Sequence, residues 1–182
     1  MCDVCVTSSS AEKIIAGLPD RPILFIPDRN LGGWIKEKYP EREIVLWDGK
    51  CPVHAAVTAE DCRRAKALYP GAKLAVHPEC RAEVLEYADY VGSTAGILAY
   101  ARKCGGDVIV GTEKTIAQLL AAEIPERRFP VLSKALLCPD MRLCDLSDVR
   151  RALEGSGGER IEIEPEVAGA ARRAIDEMIR LG

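Results

Sequence analysis

The sequence predicts an α/β fold built from repeated three-layer αβα units with small parallel sheets. Short apolar runs alternate with amphipathic stretches along the chain, and one strand–helix pattern occurs twice. Strands that alternate with helices pair in parallel, because each connection crosses over one face of the sheet. A pattern that repeats indicates two copies of one structural unit.

Four apolar runs predict buried strands, and the amphipathic stretches between them predict helices. We expect strands at 23–26, 44–47, 73–76 and 108–110, and helices at 9–17, 30–39, 59–69, 80–88, 95–104 and 114–123. Two helix starts have the form of capping boxes, Ser9-Ser10-Ala11-Glu12 and Thr58-Ala59-Glu60-Asp61. After Cys138 the pattern predicts a helix capped by Ser147 and ending near Glu154, a short strand at 161–163 and a last helix from Pro165.

The repeat runs from Asp3 to Cys51 and again from Asp89 to Cys138. Matching positions lie about 86 residues apart, which indicates a duplicated unit. This pattern predicts one α/β repeat at 1–54, another at 55–142 and a helix–strand–helix extension at 143–182. A helix, a strand and a helix precede Asp89, whereas almost nothing precedes Asp3. We therefore expect the first repeat to be truncated at its N-terminus, with about 30 of its residues ahead of residue 1.

The composition excludes several classes of protein. The 182 residues carry a net charge of -3, which gives no basis for a nucleic-acid or anionic-membrane partner. No segment approaches the ~18 consecutive apolar residues of a membrane helix, and the start lacks the pattern of a secretory signal. A cytoplasmic location is therefore predicted. Eight cysteines are many for such a protein, and metal ligation or catalysis explains them better than disulfides do.

Cys51 and Cys138 close equivalent stretches of the two repeats, and each precedes a proline. One cysteine delivered by each copy suggests thiolates that converge on a shared metal cluster. The simpler alternative is that both are free buried thiols, which is the usual state of an unpaired cysteine.

Two further groups lie where a strand ends and a helix begins, the edge at which parallel α/β proteins bind ligands. The Ser/Thr clusters at 7–9 and 92–94 suit the binding of phosphate or carboxylate, or serve as ordinary helix caps. His77 and Glu79 suit proton transfer, or form a helix start with an acidic first turn.

These motifs resemble those of the quinolinate synthase family, the A protein of bacterial and archaeal NAD biosynthesis, from residue 3 to about residue 153. The matching stretches follow one another in the same order and are Asp3-Val-Cys-Val-Thr-Ser-Ser, Phe25-Ile-Pro-Asp28-Arg-Asn-Leu-Gly32, Trp47-Asp-Gly49-Lys-Cys51-Pro-Val-His54, His77-Pro-Glu-Cys80, Ala88-Asp89-Tyr-Val-Gly-Ser93-Thr94, Gly111-Thr-Glu113 and Cys138-Pro-Asp-Met141-Arg142.

The resemblance implies three similar α/β domains around a pseudo-threefold axis, of which this chain has two. It implies a 4Fe-4S cluster that takes one cysteine from each domain. Cys51 is then the second ligand and Cys138 the third, and the first ligand is expected in the missing N-terminal domain. The implied reaction is a transferase step that condenses iminoaspartate with dihydroxyacetone phosphate to quinolinate, with the cluster as Lewis acid.

The resemblance also implies roles for residues outside the cluster. The expected catalytic residues are His77 and Glu79, and the expected substrate-binding residues are Ser8, His77, Glu79, Ser93 and Thr94. The role of His54 stays open. A functional link to L-aspartate oxidase or aspartate dehydrogenase is implied, together with inactivity of this chain alone.

Two other functions remain compatible with the residues. One is a non-catalytic α/β module that binds a small anion through its Ser/Thr loops. The other is a zinc or redox-thiol enzyme that uses Cys2 and Cys5.

Overall fold

A computed structural model describes residues 2–182, which form two compact units. The larger unit comprises residues 6–137, and the smaller comprises residues 138–182 with the segment that ends at Cys5. The predicted α/β class is confirmed, because helices alternate with short parallel strands through the larger unit. No helix in the described range 2–182 has the length and apolar composition needed to span a membrane.

The elements of the larger unit follow the predicted alternation closely. In chain order they are α1 (Ala11–Gly17), β1 (Ile23–Phe25), α2 (Arg29–Lys38), β2 (Ile44–Leu46), α3 (Pro52–Ala55), α4 (Ala59–Leu68), β3 (Lys73–Val76), α5 (Ala82–Leu85), β4 (Tyr90–Val91), α6 (Thr94–Lys103), β5 (Val108–Gly111) and α7 (Lys114–Glu123). The smaller unit has a 3-10 turn at Asp140–Arg142 and two helices, α8 (Leu146–Leu153) and α9 (Pro165–Leu181).

The three-stranded sheet has the order β4-β3-β5, with all strands parallel. On one face Leu74, Val76 and Ile109 are fully buried against side chains of α4 and α5. On the other face Ala75 and Val110 are fully buried against α6 and α7. Helices on both faces of a parallel sheet make the predicted three-layer αβα unit, whose strands are apolar throughout because neither face meets water.

The two-stranded sheet of β1 and β2 is covered on one face only. Phe25 is buried on that face against α1 and α2. Side chains alternate along a strand, so the neighbouring residues project from the other face. That uncovered face consists of Leu24, Ile26, Val45 and Trp47, with exposed fractions of 62%, 47%, 52% and 58%.

The strand pairing repeats the internal duplication of the sequence. Phe25 pairs with Leu46 in the first sheet, and Val110 forms an isolated parallel bridge with Val131 beside the second sheet. The same number of residues separates Phe25 from Val110 and Leu46 from Val131. Phe25 and Leu46 lie on the covered face of the first sheet, and Val110 and Val131 pack in the cluster formed with α6 and α7. The two copies therefore share register as well as sequence landmarks.

Two of the predicted helix caps differ from the structure. α1 begins at Ala11 after Ser10, whose hydroxyl is taken by Thr7 rather than by the helix, so the capping box expected from Ser9 is wrong. α8 is capped by Asp145, which accepts the backbone N–H of Asp148 at 2.9 Å, rather than by Ser147. A carboxylate followed three residues later by another makes a reciprocal cap that a serine inside the first turn cannot make. The predicted capping box of Thr58 is confirmed.

Two predicted elements are shorter than expected or missing. Residues 161–163 are described but form no strand, and Ile161 is 82% exposed. An isolated alternating segment has no neighbour to accept its backbone hydrogen bonds, so it stays irregular. The helix expected at 80–88 shrinks to α5, because the chain must turn back to Leu74, whose carbonyl accepts the N–H of Asp89 at 2.8 Å.

Candidate active site

Chemically active side chains gather where strands of the larger unit end. Asp28 follows β1, Cys51 follows β2, His77 follows β3 and Thr112 follows β5. The carboxyl ends of parallel strands form the edge at which α/β proteins bind ligands, because backbone N–H groups and helix N-termini face that edge. Asp28 binds the backbone of Cys51, and the ring of His54 contacts the side chains of Cys51, His77 and Thr112.

The loop that carries Cys51 is held by Asp28. One carboxylate oxygen of Asp28 accepts the backbone N–H of Cys51 at 2.7 Å. The other caps α2, accepting the N–H groups of Asn30 and Leu31 at 2.9 and 2.8 Å. Because one buried carboxylate serves a helix start and the cysteine loop together, the position of Cys51 is tied to that of α2.

His54 lies one turn after Cys51, on the short helix α3, and its ring nitrogens contact three side chains. Its Nδ1 lies 3.3 Å from Cys51 Sγ and 3.0 Å from Glu79 Oε2. Its Nε2 lies 3.1 Å from Thr112 Oγ1. Only 12% of the His54 side chain is exposed, so these contacts fix the orientation of the ring.

His77 stacks on His54, with ring centroids 4.7 Å apart and an interplanar angle of 23°. The backbone N–H of Glu79 donates to His77 Nδ1 at 3.3 Å. Nδ1 therefore carries no proton, and the proton of the neutral ring lies on Nε2, which is 3.2 Å from Ser8 Oγ. This arrangement makes the ring a hydrogen-bond donor on its Ser8 side.

Burial and these hydrogen bonds set the charges of the titratable side chains in the site. Burial opposes protonation of His54, but hydrogen bonds to Cys51 and Glu79 outweigh it and raise the pKa of His54 to about 9. The hydrogen bond with His54 lowers the pKa of the Cys51 thiol, and a hydrogen bond from the same ring lowers the pKa of Glu79. Burial, and next the positive His54, lower the pKa of His77 to about 4. At neutral pH an imidazolium at His54 thus pairs with the carboxylate of Glu79 and favours the thiolate form of Cys51, beside a neutral His77.

The structure brings together four of the residues that the sequence singled out, which are Ser8, Cys51, His77 and Glu79. Ser93 is buried and caps α6, accepting the N–H of Gly96 at 3.1 Å, while Thr94 is exposed. Their assignment to substrate stays a prediction. Cys138 is half-buried in the smaller unit, and its assignment as a cluster ligand also stays a prediction.

Three residues of the candidate site were given no role from the sequence. They are Asp28, His54 and Thr112. All three lie in stretches that carry the family resemblance, but those stretches did not indicate what each residue does. Asp28 and Thr112 follow predicted strands within two residues, and that position alone would have placed both at the ligand-binding edge.

Cys51, His54 and Glu79 also form a possible metal-binding group. Their donor atoms all lie within 4.8 Å of one another. Two other thiols of the unit suit no such role, because burial raises the pKa of Cys62 to about 11 and raises that of Cys80 further. A buried thiol that holds its proton is neither a ready nucleophile nor a ready ligand.

Comparison with known proteins agrees with this picture. The family model described as "Quinolinate synthetase A protein" matches residues 1–180. The chain belongs to the quinolinate synthetase A protein family. Among its relatives, the quinolinate synthase of Caldicellulosiruptor bescii is 40% identical over 181 residues, which cover 99% of this chain and 59% of the relative. The quinolinate synthases of Caldicellulosiruptor saccharolyticus and Methanoregula boonei are 42% and 41% identical, with 98% of this chain and 59% of each relative covered.

The chain thus spans about 59% of the length of the curated relatives that it matches. Membership of the quinolinate synthetase A family confirms the resemblance drawn from the seven motifs. The coverage of 59% also shows that the relatives contain residues beyond the part that matches this chain.

Proposed function

We propose that this chain provides the second and third repeats of a quinolinate synthase, which condenses iminoaspartate with dihydroxyacetone phosphate and releases phosphate and water. The observation that carries the proposal is the link that His54 makes between Glu79, an expected acid–base residue, and Cys51, an expected cluster ligand. Glu79 lies 3.0 Å from His54, which in turn lies 3.3 Å from Cys51 Sγ. A proton-transfer group beside a metal-binding thiolate is what a metal-assisted dehydration needs.

The donor chemistry of Cys51 fits an iron–sulfur cluster. Its thiol is half-buried, and the hydrogen bond to His54 favours the thiolate, the form that binds iron. Cys51 would hold one iron and Cys138 a second, with a third ligand from outside this sequence. When bound, a 4Fe-4S cluster with one iron free of protein ligands supplies a Lewis acid for a substrate oxygen.

The remaining residues bind and transfer protons. Glu79 is ionised and accepts a proton at Oε2, while His54 holds a proton at Nδ1 and acts as the matching acid 3.0 Å away. The Nε2–H group of His77 donates a hydrogen bond to a substrate oxygen beside Ser8 Oγ. The neutral state of His77 suits a donor that stays in place through the reaction.

Hydroxyl groups at helix starts bind the carboxylates and the phosphate of the substrates in this proposal. Ser8 already contacts His77, and Ser93 and Thr94 lie at the N-terminus of α6, where the helix dipole favours anions. Ser93 Oγ accepts a bond from Gly96, so its own hydroxyl proton can still be donated to an anion. A functional link to L-aspartate oxidase or aspartate dehydrogenase, either of which supplies iminoaspartate, and a cytoplasmic location belong to the same proposal.

Activity is expected to need residues outside this sequence, because two cysteines supply too few ligands for the proposed cluster. The uncovered face of β1 and β2 supports this expectation. In the second repeat the equivalent face, which includes Ile109, is buried beneath α4 and α5. We propose that a segment equivalent to α4, β3 and α5 covers the first repeat in the full-length relatives.

Anaerobic reconstitution with iron and sulfide tests the proposal. The 182-residue chain alone is expected to form no quinolinate. A fusion that adds the preceding region of the Caldicellulosiruptor bescii relative is expected to form it, and Glu79→Gln in that fusion to lose about 10²–10⁴-fold in rate. Glu83→Gln, an exposed carboxylate on α5, is the matched control and should retain activity.

The outcomes separate the competing functions. Turnover by the 182-residue chain alone would contradict its incompleteness. A colourless fusion that binds inorganic phosphate without turnover would favour the anion-binding module. Full activity of the Glu79→Gln fusion would remove the proposed acid–base role.

A further inference from the structure

We infer that Cys51, His54 and Glu79 of the larger unit bind one divalent transition-metal ion, of the zinc or ferrous class, without an iron–sulfur cluster. This mononuclear site belongs to the 182-residue chain itself. It does not rest on the proposed function, because its three donors all lie in one compact unit and need no residue from elsewhere.

The separations of the donor atoms are close to those of a metal-bound set. Bond lengths to zinc of about 2.3 Å for sulfur and about 2.0–2.1 Å for nitrogen place tetrahedral S and N ligands roughly 3.6 Å apart, and N and O ligands roughly 3.4 Å apart. The structure has 3.3 Å between Cys51 Sγ and His54 Nδ1, and 3.0 Å between His54 Nδ1 and Glu79 Oε2. These two separations would widen by a few tenths of an ångström to admit an ion, and the third, between Cys51 Sγ and a Glu79 carboxylate oxygen, lies within 4.8 Å.

Hydrogen bonding alone satisfies these three donor atoms poorly. His54 Nδ1 can carry a single proton, yet both the Cys51 sulfur and the Glu79 oxygen lie within contact distance of it. One proton shared between two acceptors makes two weak bonds. A cation between the three atoms would instead receive a lone pair from each and neutralise both anionic donors.

The surroundings orient the donors as outer-shell groups do in metal sites. Thr112 Oγ1 contacts His54 Nε2 at 3.1 Å, which leaves Nδ1 as the nitrogen that faces the ion. Asp28 accepts the backbone N–H of Cys51 at 2.7 Å and so fixes the loop that presents the sulfur. Such outer-shell contacts commonly set the tautomer and direction of a histidine ligand.

The donor set selects the class of metal. A thiolate, an imidazole and a carboxylate suit Zn²⁺ or Fe²⁺, whereas Mg²⁺ and Ca²⁺ prefer oxygen donors alone. Three protein ligands leave a fourth tetrahedral position for water or for a small ligand. Cys2 and Cys5 of the smaller unit have sulfurs 3.9 Å apart, with Cys2 exposed and Cys5 half-buried. This pair of thiols would compete for added metal.

Anaerobic titration of the 182-residue chain with Co²⁺ tests the inference, in a background that carries Cys2→Ser and Cys5→Ser. We expect one equivalent of Co²⁺ to produce thiolate-to-cobalt charge-transfer absorption, which Zn²⁺ displaces. Cys51→Ser should abolish the absorption, and Glu79→Gln should weaken binding. Thr112→Val, which keeps the shape of a buried side chain but removes the contact to His54, should weaken binding about 10–100-fold.

Cys144→Ser is the matched thiol control, because Cys144 is exposed and lies in the smaller unit. It should leave the absorption unchanged, and circular dichroism of each variant should match the parent. The inference is overturned if the absorption survives Cys51→Ser, or if it vanishes in the Cys2→Ser and Cys5→Ser background alone. Since the readout is cobalt absorption, quinolinate formation by the fusion protein remains a separate measurement.

Discussion

At the residue scale, Asp28 is the side chain on which the geometry of the site depends most. It is buried, and its two oxygens accept three backbone N–H groups, from Asn30, Leu31 and Cys51. Asp28→Asn replaces one acceptor oxygen by an NH₂ group that faces a backbone donor. We expect a loss of about 1–3 kcal/mol in the free energy of unfolding, because a buried N–H is left without an acceptor.

Urea unfolding measures this loss, and the cobalt titration of the same variant should show weaker binding. Asp48→Asn is the control, since Asp48 is exposed and pairs with the exposed Arg29. Equal stability of the two variants would show that the Asp28 contacts do not hold the loop.

A second prediction at the residue scale concerns acid stability and Asp89. Asp89 accepts bonds from Lys73 Nζ and the backbone N–H of Leu74, both at 2.9 Å. Burial would raise the pKa of Asp89, but these bonds and nearby lysines outweigh it and hold the pKa below its usual 3.8. A lowered pKa adds stability above pH 3.8, and this stability is lost as pH falls through the value in the folded state.

Asp89→Asn should therefore be less stable than the parent at pH 7, with a difference that shrinks as the pH falls below 3.8. Urea unfolding across this range measures the difference. Asp20→Asn, at an exposed position, is the matched control. A difference for Asp89→Asn that stays constant down to low pH would contradict the assignment.

Single residues also show how far sequence reasoning reaches. His77 and Glu79 were predicted from residue type and position after a strand, and Cys51 from its counterpart Cys138 in the second repeat. His54 was visible beside Cys51, but its role depends on Glu79 and Thr112, which come from distant parts of the chain. Contacts of this kind are decided by packing, which a sequence pattern does not contain.

At the scale of elements, Gly49 joins the loop after β1 to the loop after β2. Its carbonyl accepts the N–H of Arg29 at 2.8 Å, and a Cβ at this position would lie 2.2 Å from the carbonyl oxygen of Pro27. Backbone atoms cannot move aside cheaply, so Gly49→Ala must separate the two loops. We expect a loss of about 1–3 kcal/mol in unfolding free energy.

Gly105→Ala is the matched control, because a Cβ there meets nothing within 4 Å. Thermal unfolding of both variants measures the contrast, and only Gly49→Ala should also impair cobalt binding at Cys51. Unchanged stability of Gly49→Ala would mean that the two loops can separate without cost.

Elements marked by an apolar run or by strong periodicity were predictable even when short, as β1 and β2 show, whereas elements without such a pattern were not. α4 and its cap at Thr58 follow from local chemistry alone. β4 has two residues and no pattern of its own, and it exists because Val76 and Ala75 offer a strand edge to Val91 and Tyr90. The strand predicted at 161–163 fails for the opposite reason, since its alternation has no partner strand in the described chain.

At the scale of the whole molecule, the internal repeat provides its own controls. Leu24 and Ile109 are equivalent positions on β1 and β5, yet Leu24 is 62% exposed and Ile109 is fully buried. In the 182-residue chain Leu24→Ala should change the unfolding free energy by no more than about 0.5 kcal/mol. Ile109→Ala should cost about 2–5 kcal/mol, because it opens a cavity beneath α4 and α5.

The same pair tests how the full-length relatives are built. If a segment like α4, β3 and α5 covers the first repeat, fusion of the preceding region of the Caldicellulosiruptor bescii relative buries Leu24. Leu24→Ala should then cost about 2–5 kcal/mol, close to the cost of Ile109→Ala. Denaturant unfolding of both chains, with Trp47 fluorescence as a local probe of the same face, measures the change. A Leu24→Ala variant that stays neutral in the fusion would show that the uncovered face serves another purpose, and that the two repeats are completed in different ways.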